Sequence, residues 1–397
     1  MKLSKLAQKL KPSATLAITA KAKALKAQGI DVIGFGAGEP DFDTPQNIKN
    51  SAVQAIEKGY TKYTAVGGID QIKEAIIYRL EEDYGLHYDK SEIMVSCGAK
   101  HTLYNLSQVL IDQGDEVIIP APFWVTYPEQ VSIAGGTPVI VNTDETTGFK
   151  LSADQLKNSL SGKTRILILN YPSNPTGATY TKTDLEEIVN ICLENDVIII
   201  TDEIYDKILY DNLAHTSLPS ISDDAKKNSI LVNGVSKSYS MTGWRIGYAA
   251  GDKDVIKAMS NLQGQCTSNP VTISQYAAIE ALKGEQSEVE KMRKQFEARK
   301  QYIVQRLNSI EGISCFEPQG AFYVFPNVTS YYGKKYKNRN INNSVDFTEF
   351  LLEEAKVAVV PGVEFGADNY IRISYAVSMD EIKEGLDRIE NSLSSLT

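Results

Sequence analysis

The chain has 397 residues, of which 42% are hydrophobic and 23% are charged, and its formal net charge is −9. This length predicts two domains, and the negative charge argues against nucleic acid or an anionic membrane as a partner. No apolar run reaches the roughly 20 residues that a membrane span needs, and the basic N-terminus lacks the apolar stretch of a signal peptide.

Cysteine and histidine usage limits the kinds of catalytic or metal site that the chain can form. The four cysteines have no paired spacing, which predicts reduced thiols and a cytoplasmic protein. The three histidines have no neighbours at metal-ligand spacing, so we expect neither a metal site nor a histidine-based triad. The chemistry must then depend on Lys, Asp, Tyr or Arg side chains, or on a cofactor.

The first forty or so residues contain a predicted helix, Thr15–Gln28, and a short predicted strand, Asp31–Phe35, but no core of their own. We therefore expect them to pack on the C-terminal part of the chain. A glycine-rich turn, Gly36–Asp41, follows, and its backbone can approach a ligand closely.

The middle of the chain alternates short β-branched runs with helical patterns such as Thr102–Asp112 and Thr183–Asn195, the latter with Thr181 as its N-cap. The apolar runs are continuous, which indicates strands buried on both faces. The predicted strands are Glu92–Ser96, Glu116–Pro120, Pro138–Asn142, Arg165–Asn170, Val197–Thr201, Ser229–Asn233 and Arg245–Ala250. The pattern predicts an α/β fold with a mostly parallel, seven-stranded sheet flanked by helices.

From about Val271 the pattern changes to long helices and then to a mixed α/β segment. The predicted elements there are a helix at Glu285–Asn308, strands near Ala321–Phe325, Ala358–Val360 and Tyr370–Tyr375, and a final helix from Asp380. We predict a large domain over residues 46–290 and a smaller α+β domain built from both chain ends, residues 1–45 and 291–397. The basic and aromatic segment Tyr331–Asn343 is either a mobile lid or a solvated surface loop.

Polar residues follow three of the predicted strands directly. Lys237 comes after one strand, Asp202 ends another, and Asn174 lies in the turn after a third. Each has an ordinary interpretation, as a solvated lysine, a helix N-cap and a turn residue. Because open α/β sheets bind ligands at the carboxyl ends of their strands, we expect the three to share one site. Asp202 is suited to pair with the protonated ring nitrogen of a pyridine cofactor, and Tyr205, three residues later, is suited to donate to an oxygen of the same ring.

A phosphate site is predicted beside Lys237. Ser236 and Arg245 flank this lysine in sequence, and we expect the apolar strand after Arg245 to hold that residue in the interior. The segment Ser96–His101 runs from a strand into a helix start, where free N–H groups bind anions. Trp124 follows the next strand and is either a stacking platform for a planar ring or a core aromatic.

Arg372 lies inside the apolar strand Tyr370–Tyr375. A guanidinium keeps its proton in proteins, so a buried arginine needs an anionic or hydrogen-bonding partner. A bound carboxylate satisfies it through two parallel hydrogen bonds.

These motifs together resemble the fold-type I, class I aminotransferases, which depend on pyridoxal 5'-phosphate. Within them the chain is most similar to the bacterial Ib subgroup of aspartate aminotransferases. The resemblance covers nearly the whole chain and rests on AGEPDFDTP at 37–45, NYPSNPTG at 170–177, TDEIY at 201–205, SKSYSMTGWRIGY at 236–248 and IRISYA at 371–376.

The resemblance implies a role for each matching residue. Lys237 forms the internal aldimine and is the catalytic base, Asp202 pairs with the pyridine nitrogen, and Tyr205 and Asn174 bond the ring's phenolic oxygen. Trp124 stacks on the ring. The implied phosphate ligands are Ser236, Arg245, the backbone at Ala99 and Lys100, and Tyr63 of a second subunit, so a homodimer with shared sites is implied as well.

Substrate binding is also implied by the resemblance. Arg372, Asn174 and the backbone of Gly38 bind the α-carboxylate beside Trp124, and Thr15 and Lys100 contact a distal carboxylate. This favours amino transfer from L-aspartate to 2-oxoglutarate by a ping-pong reaction. Prephenate with glutamate, aromatic substrates, elimination chemistry and a non-catalytic sensor domain remain alternatives. A nicotinamide dehydrogenase is disfavoured, because no GxGxxG motif follows an early strand.

Overall fold

The computed structural model describes residues 2–4, 7–8 and 14–397, without the side chains of residues 14–17 and 19. The helices, in chain order, are α1 Ala14–Ala27, α2 Gln46–Glu57, α3 Asp70–Tyr84, α4 Ala99–Leu110, α5 Thr126–Ala134, α6 Ala153–Ser159, α7 Lys182–Glu194, α8 Asp223–Lys227, α9 Lys253–Cys266, α10 Thr272–Lys283, α11 Ser287–Asn308, α12 Ser344–Phe350 and α13 Met379–Leu393. The strands are β1 Ile33–Gly34, β2 Ile93–Ser96, β3 Glu116–Ala121, β4 Thr137–Asn142, β5 Thr164–Asn170, β6 Ile198–Asp202, β7 Ser229–Gly234, β8 Gly247–Ala250, β9 Tyr323–Val324, β10 Lys335–Tyr336, β11 Arg339–Asn340, β12 Val357–Ala358, β13 Val360–Pro361 and β14 Ile371–Ser374.

Strands β2 to β8 form one seven-stranded sheet in the order β2-β8-β7-β6-β5-β3-β4. Strand β8 is antiparallel to both of its neighbours, and the remaining pairs are parallel. The central strands are buried on both faces, because helices cover the sheet from two sides. The predicted sheet is therefore confirmed, as is Thr181 as the N-cap of α7, whose side chain accepts from the Asp184 N–H.

The two chain ends meet away from this sheet. Strand β1 pairs in parallel with β12, and Ala22 and Val32 pack against Leu352 and Ala358. Strands β13, β14 and β9 form a separate antiparallel sheet. The N-terminal part therefore packs on the C-terminal part, as predicted, although α11 runs across the predicted boundary at 290/291.

Two strand predictions need correction. The segment predicted as one strand at Ala358–Val360 is divided between β12, which pairs with β1, and β13, which pairs with β14. The strand predicted from Arg245 begins at Gly247, because Arg245 has a left-handed backbone with φ of 57° and ends a short 3-10 turn.

Segment 331–343 folds as a short hairpin of β10 and β11 on the C-terminal part. Tyr331 stacks on Phe347 at a centroid distance of 5.4 Å, and Tyr336 packs edge-on against Phe350 at 4.9 Å. The backbone of Lys335 also exchanges hydrogen bonds with Thr397. The segment is thus anchored by buried tyrosines instead of lying free in solvent. Among the described residues, none of the helices combines the length and the apolar character needed to cross a membrane.

Candidate active site

A cavity of about 420 Å³ opens at the carboxyl ends of β5, β6 and β7. Its walls also include residues of the β13-β14-β9 sheet, so both sheets contribute to it. The lining residues are Gly38, Ala99, Lys100, Trp124, Val125, Tyr127, Asn170, Asn174, Asp202, Ile204, Tyr205, Ser236, Lys237, Thr242, Arg245, Tyr323 and Arg372. Its volume falls in the range of small-molecule sites, roughly 300–1,000 Å³.

Lys237 lies three residues after β7, and its amine points into the cavity. Its Nζ donates a hydrogen bond to the carbonyl oxygen of Gly38 at 2.6 Å. Burial lowers the pKa of Lys237 to about 8, the carboxylate of Glu39 opposes that shift, and the charges of Arg372 and Arg245 add to it. A lowered pKa leaves roughly a tenth of the amine neutral and nucleophilic at pH 7, far more than an ordinary lysine has.

The turn that carries Gly38 is held from both sides. Arg299, in α11, donates to both carboxylate oxygens of Asp41 at 2.7 and 2.8 Å, and Thr44 donates to the Ser240 carbonyl at 2.6 Å. A Cβ at Gly38 would lie 2.7 Å from the Tyr323 hydroxyl. Position 38 must therefore be glycine for the turn to reach the cavity.

Asp202 is the last residue of β6, and its carboxylate is 3% exposed. The Tyr127 hydroxyl donates to Oδ2 at 2.7 Å and the Ile204 N–H to Oδ1 at 3.3 Å. Burial raises the pKa of Asp202 to about 6, although the Tyr127 hydrogen bond works in the opposite direction. A cationic partner in the cavity would relieve this desolvation cost.

Arg372 is 2% exposed and also lines the cavity. Its guanidinium donates to Asn174 Oδ1 at 2.9 Å and to the Gly36 carbonyl at 2.7 Å. It stacks between the rings of Tyr323 and Phe365, with centroid distances of 4.6 and 5.0 Å. Among the described residues, Arg372 Nε has no hydrogen-bond partner. The Arg372 guanidinium is thus held in a fixed orientation, and its Nε–H remains available to donate to an anion.

Asn174 is held in place by its neighbour Asn170. The Asn174 N–H donates to Asn170 Oδ1 at 2.9 Å, and Asn170 Nδ2 donates to the Asp202 carbonyl at 3.0 Å. These two hydrogen bonds connect the turn after β5 to the end of β6. They bring Asn174 and Asp202 into one site, although the two residues belong to separate sequence motifs.

A candidate anion site lies where the start of α4 lines the cavity. Gly98 is the N-cap of α4 and has φ of 88°, so the N–H groups of Ala99 and Lys100 belong to the first helical turn, which lacks intrahelical partners. Ser236 is buried beside it. Arg245 donates to the carbonyls of Thr242 and Cys97 at 2.8 and 3.2 Å.

The position of Arg245 differs from the prediction in one respect. Its side chain is exposed and reaches the cavity from the rim, whereas the sequence suggested an interior position. The left-handed backbone at Arg245 turns the side chain out of the sheet before β8 begins. A Cβ at Gly98 would lie 2.2 Å from the Arg245 guanidinium, so the glycine leaves room for this arrangement.

Trp124 and Lys100 are neighbours in the cavity wall. Trp124 is half-buried and packs edge-on against Tyr127 at 5.4 Å. Lys100 Nζ lies 4.8 Å from the centre of the Trp124 ring, a cation–π distance. Burial and then the neighbouring Arg245 lower the pKa of Lys100. Both residues leave polar and aromatic surface facing the opening.

Of the predicted site residues, Tyr63 does not line the cavity of this single chain. Tyr63 is 90% exposed at a distance from it. Thr15 is in α1, but its side chain lies outside the described residues. Conversely, Tyr127 and Tyr323 line the cavity and were not predicted. Tyr127 follows Trp124 by three residues, which is the one sequence signal that could have pointed to it.

Metal binding finds no support in the part of the chain that the structure describes, where no three His, Cys, Asp or Glu side chains converge. The cavity instead offers an amine, a buried carboxylate, an arginine for a carboxylate and a helix N-terminus for a phosphate. This donor set fits pyridoxal phosphate, which needs an amine for its aldehyde, an anion for its protonated nitrogen and donors for its phosphate.

Comparison with known proteins agrees with this donor set. Residues 30–389 match the family described as aminotransferase class I and II. An aspartate aminotransferase of Bacillus sp. strain YM-2 is 53% identical over 96% of each chain. A probable aspartate/prephenate aminotransferase of Rickettsia bellii is 48% identical over 98% of each chain. The crystal structure of an aspartate aminotransferase from Rhizobium meliloti superposes with a TM-score of 0.96, at 41% identity and 100% coverage of both chains.

Proposed function

The chain belongs to the class I and II aminotransferases, and from this premise we propose that it transfers the amino group of L-aspartate to 2-oxoglutarate. The proposed cofactor is pyridoxal 5'-phosphate, bound at Lys237. The observation that carries the proposal is the convergence of Lys237, Asp202 and Arg372 on one cavity that is also lined by the start of α4.

The residues that would hold the cofactor follow from the donor set. Lys237 would carry it covalently, with Asp202 at the ring nitrogen and Trp124 against the ring face. Asn174 and Tyr205 would bond the ring oxygen. The phosphate would take the hydroxyl of Ser236, the guanidinium of Arg245 and the N–H groups of Ala99 and Lys100. When bound, pyridoxal phosphate supplies an aldehyde that condenses with amines and a protonated ring that withdraws electrons from the neighbouring carbon.

The chain's own groups would then carry the proton transfers. Lys237, whose amine has a lowered pKa, would take the proton from the substrate's Cα and hold it as an ammonium group until it is returned. Asp202 would keep the ring nitrogen protonated, because an ion pair relieves the cost of its burial. The amino donor and the acceptor would use the same site in turn, which predicts ping-pong kinetics.

Substrate choice would depend on two cations at different depths. Arg372 is buried and oriented for the α-carboxylate, with Asn174 and the backbone of Gly38 beside it. Lys100 is less buried than Arg372 and lies beside Trp124, which suits a distal carboxylate, and Thr15 is the proposed second contact. Prephenate with glutamate is the second candidate, since the Rickettsia bellii relative is named for both activities and both acceptors carry two carboxylates.

We also propose a homodimer with shared active sites. Exposed apolar and aromatic side chains lie on α2, between α2 and α3, and directly before α10: Val53, Ile56, Tyr60, Tyr63 and Val271 are each between 38% and 90% exposed. Contact with a second copy would bury them and would allow Tyr63 to reach the partner's phosphate site. We retain the proposed domain limits, 1–45 with 291–397 and 46–290, and a cytoplasmic location, with which the four free thiols agree.

The test is a half-reaction screen with the purified protein and pyridoxal phosphate. Amino acids are added singly, and the loss of the near-visible absorption of the bound cofactor is followed. We expect aspartate and glutamate to react fastest, and Lys237→Ala to show neither the absorption nor turnover. Lys73→Ala is the matched control, because Lys73 is also a lysine whose pKa burial lowers, but it donates to the Lys90 carbonyl outside the cavity. Transamination by Lys237→Ala, or a preference for aromatic donors, would contradict the proposal.

A further inference from the structure

Two tyrosine hydroxyls meet at the cavity wall, and only one of them has a role in the proposed function. The hydroxyl oxygens of Tyr205 and Tyr323 are 2.8 Å apart, and the two side chains are 3% and 0% exposed. Tyr205 follows β6 in the seven-stranded sheet unit, whereas Tyr323 opens β9. The hydrogen bond therefore joins residues 118 positions apart in the chain.

Tyr323 contacts the carboxylate end of the cavity as well. The Arg372 guanidinium lies over its ring at 4.6 Å, and Tyr323 is the register partner of Ser374 on the neighbouring strand β14. Its hydroxyl also occupies the space that a Cβ at Gly38 would need. This one side chain thus touches the groups proposed for the cofactor oxygen and for the substrate carboxylate.

The direction of the tyrosine–tyrosine hydrogen bond follows from proton counting. A tyrosine hydroxyl donates one hydrogen bond and accepts others. Among the described residues, Tyr205 is the one hydrogen-bond partner of the Tyr323 hydroxyl. If Tyr205 gives its proton to an anionic ring oxygen, its own oxygen is left as an acceptor, and Tyr323 has to be the donor between them.

We propose that Tyr323 is a positioning residue whose hydroxyl donates to the Tyr205 oxygen and so directs the Tyr205 proton toward the cofactor's ring oxygen. The inference rests on the proposed function, because it assumes pyridoxal phosphate at Lys237. It assigns no contact between Tyr323 and the reacting atoms. Tyr323 acts through Tyr205 alone.

The consequence is a shift in a measurable pH midpoint. With the cofactor bound, an anionic ring oxygen would stabilise a proton on the nearby Lys237 nitrogen. A hydrogen bond donated by Tyr205 withdraws part of that negative charge, so it lowers the pH at which this nitrogen loses its proton. A hydrogen bond donated by Tyr323 polarises the Tyr205 hydroxyl and so strengthens the hydrogen bond from Tyr205 to the ring oxygen.

The experiment is a double-mutant cycle read by the pH dependence of the near-visible absorption of the cofactor-loaded protein. Tyr205→Phe should raise the midpoint. Tyr323→Phe should raise it by less, about a few tenths of a pH unit, since cooperative strengthening is roughly 10–30% of one charge-assisted hydrogen bond. In the Tyr205→Phe background, Tyr323→Phe should add nothing, because the group through which it acts is gone.

Tyr375→Phe is the matched control. Tyr375 is also a fully buried tyrosine in this part of the fold, and its hydroxyl donates to the Tyr210 hydroxyl at 3.2 Å, but it does not line the cavity. It should leave the midpoint unchanged. If Tyr323→Phe does not fold, 3-fluorotyrosine at position 323 tests the same point: a more acidic donor should lower the midpoint.

The outcomes separate this inference from the function on which it rests. A wild-type protein that shows no pH-dependent near-visible absorption with pyridoxal phosphate would overturn the proposed function, and the inference with it. A wild type and a Tyr205→Phe variant that behave as expected, beside a Tyr323→Phe variant with no shift, would overturn the inference alone. Equal shifts from Tyr323→Phe in both backgrounds would also overturn it, since a structural disturbance adds independently of Tyr205.

Discussion

Replacement of Arg372 by lysine tests the proposed carboxylate site while preserving its charge. The guanidinium is 2% exposed, is held by Asn174 and the Gly36 carbonyl, and retains Nε as a free donor among the described residues. A lysine ammonium offers the same charge from a single point and cannot form two parallel hydrogen bonds to one carboxylate. We therefore expect Arg372→Lys to fold and to bind amino acids weakly.

The size of the effect follows from the number of hydrogen bonds lost. One charge-assisted hydrogen bond contributes about 1.5–3 kcal/mol. Its loss in the transition state lowers kcat/KM by about 10- to 150-fold, at roughly 1.4 kcal/mol for each factor of ten. The loss should appear for L-aspartate and L-glutamate alike, because both present the same α-carboxylate.

The assay compares two amino donors in the half-reaction. An amino acid requires Arg372, whereas a simple alkylamine has no carboxylate, so Arg372→Lys should slow only the amino acid. Arg79→Lys is the control, since Arg79 is a partly buried arginine that contacts Asp83 and the Leu282 carbonyl outside the cavity. Values of kcat/KM within about twofold of the wild type, or an equal loss with the alkylamine, would refute the assignment.

Three further predictions concern the other walls of the cavity. Tyr127→Phe removes a hydrogen bond that lowers the pKa of Asp202, so that pKa should rise above about 6. The cofactor affinity of the variant should then fall more steeply between pH 8 and 6 than that of the wild type. A ratio of variant to wild-type affinity that does not change with pH would contradict this. The rate at which the cofactor-free protein binds pyridoxal phosphate should rise with pH and level off above about 8, the pKa of Lys237. A rate that continues to rise up to pH 10.5, the ordinary pKa of lysine, would show that this amine is unperturbed. Gly98→Ala should weaken cofactor binding, because the added Cβ meets the Arg245 guanidinium. It should also lower Tm, because φ of 88° strains alanine by about 1–3 kcal/mol. Unchanged affinity in a cofactor titration would argue against this anion site.

The seven strands could be predicted from the sequence because each is a short, continuous apolar run with a polar turn behind it. The same local pattern indicated that Lys237, Asp202 and Asn174 stand at strand ends, and the parallel strand order brings those ends to one edge. The first and last residues of a strand could not be predicted where they depend on the neighbouring strand with which it pairs. Thus the apolar segment around Val359 is one run in sequence but pairs with β1 on one side and β14 on the other.

Side-chain direction could not be predicted in the same way. The motif around Arg245 has an apolar run after the arginine, which suggested a buried side chain, yet the left-handed backbone at this residue leaves the guanidinium exposed at the cavity rim. The backbone conformation at Arg245 depends on the turn before it, and the position of its guanidinium depends on the room left by the missing Cβ of Gly98. Neither is visible in a hydrophobic pattern.

By itself, the amino-acid sequence determined the sheet and the positions of the residues that follow its strands, because burial imposes an apolar pattern along each strand and leaves polar residues at its end. Only the tertiary structure decided which side chains meet across the cavity. Tyr323 looks like an ordinary core aromatic in the run AFYVF, and its contact with Tyr205 depends on how two separate sheets pack. Tyr127 likewise becomes a ligand-site residue only when α5 brings it to the end of β6. Hydrogen bonds between distant segments have no local pattern, since their geometry is set by packing and not by spacing along the chain.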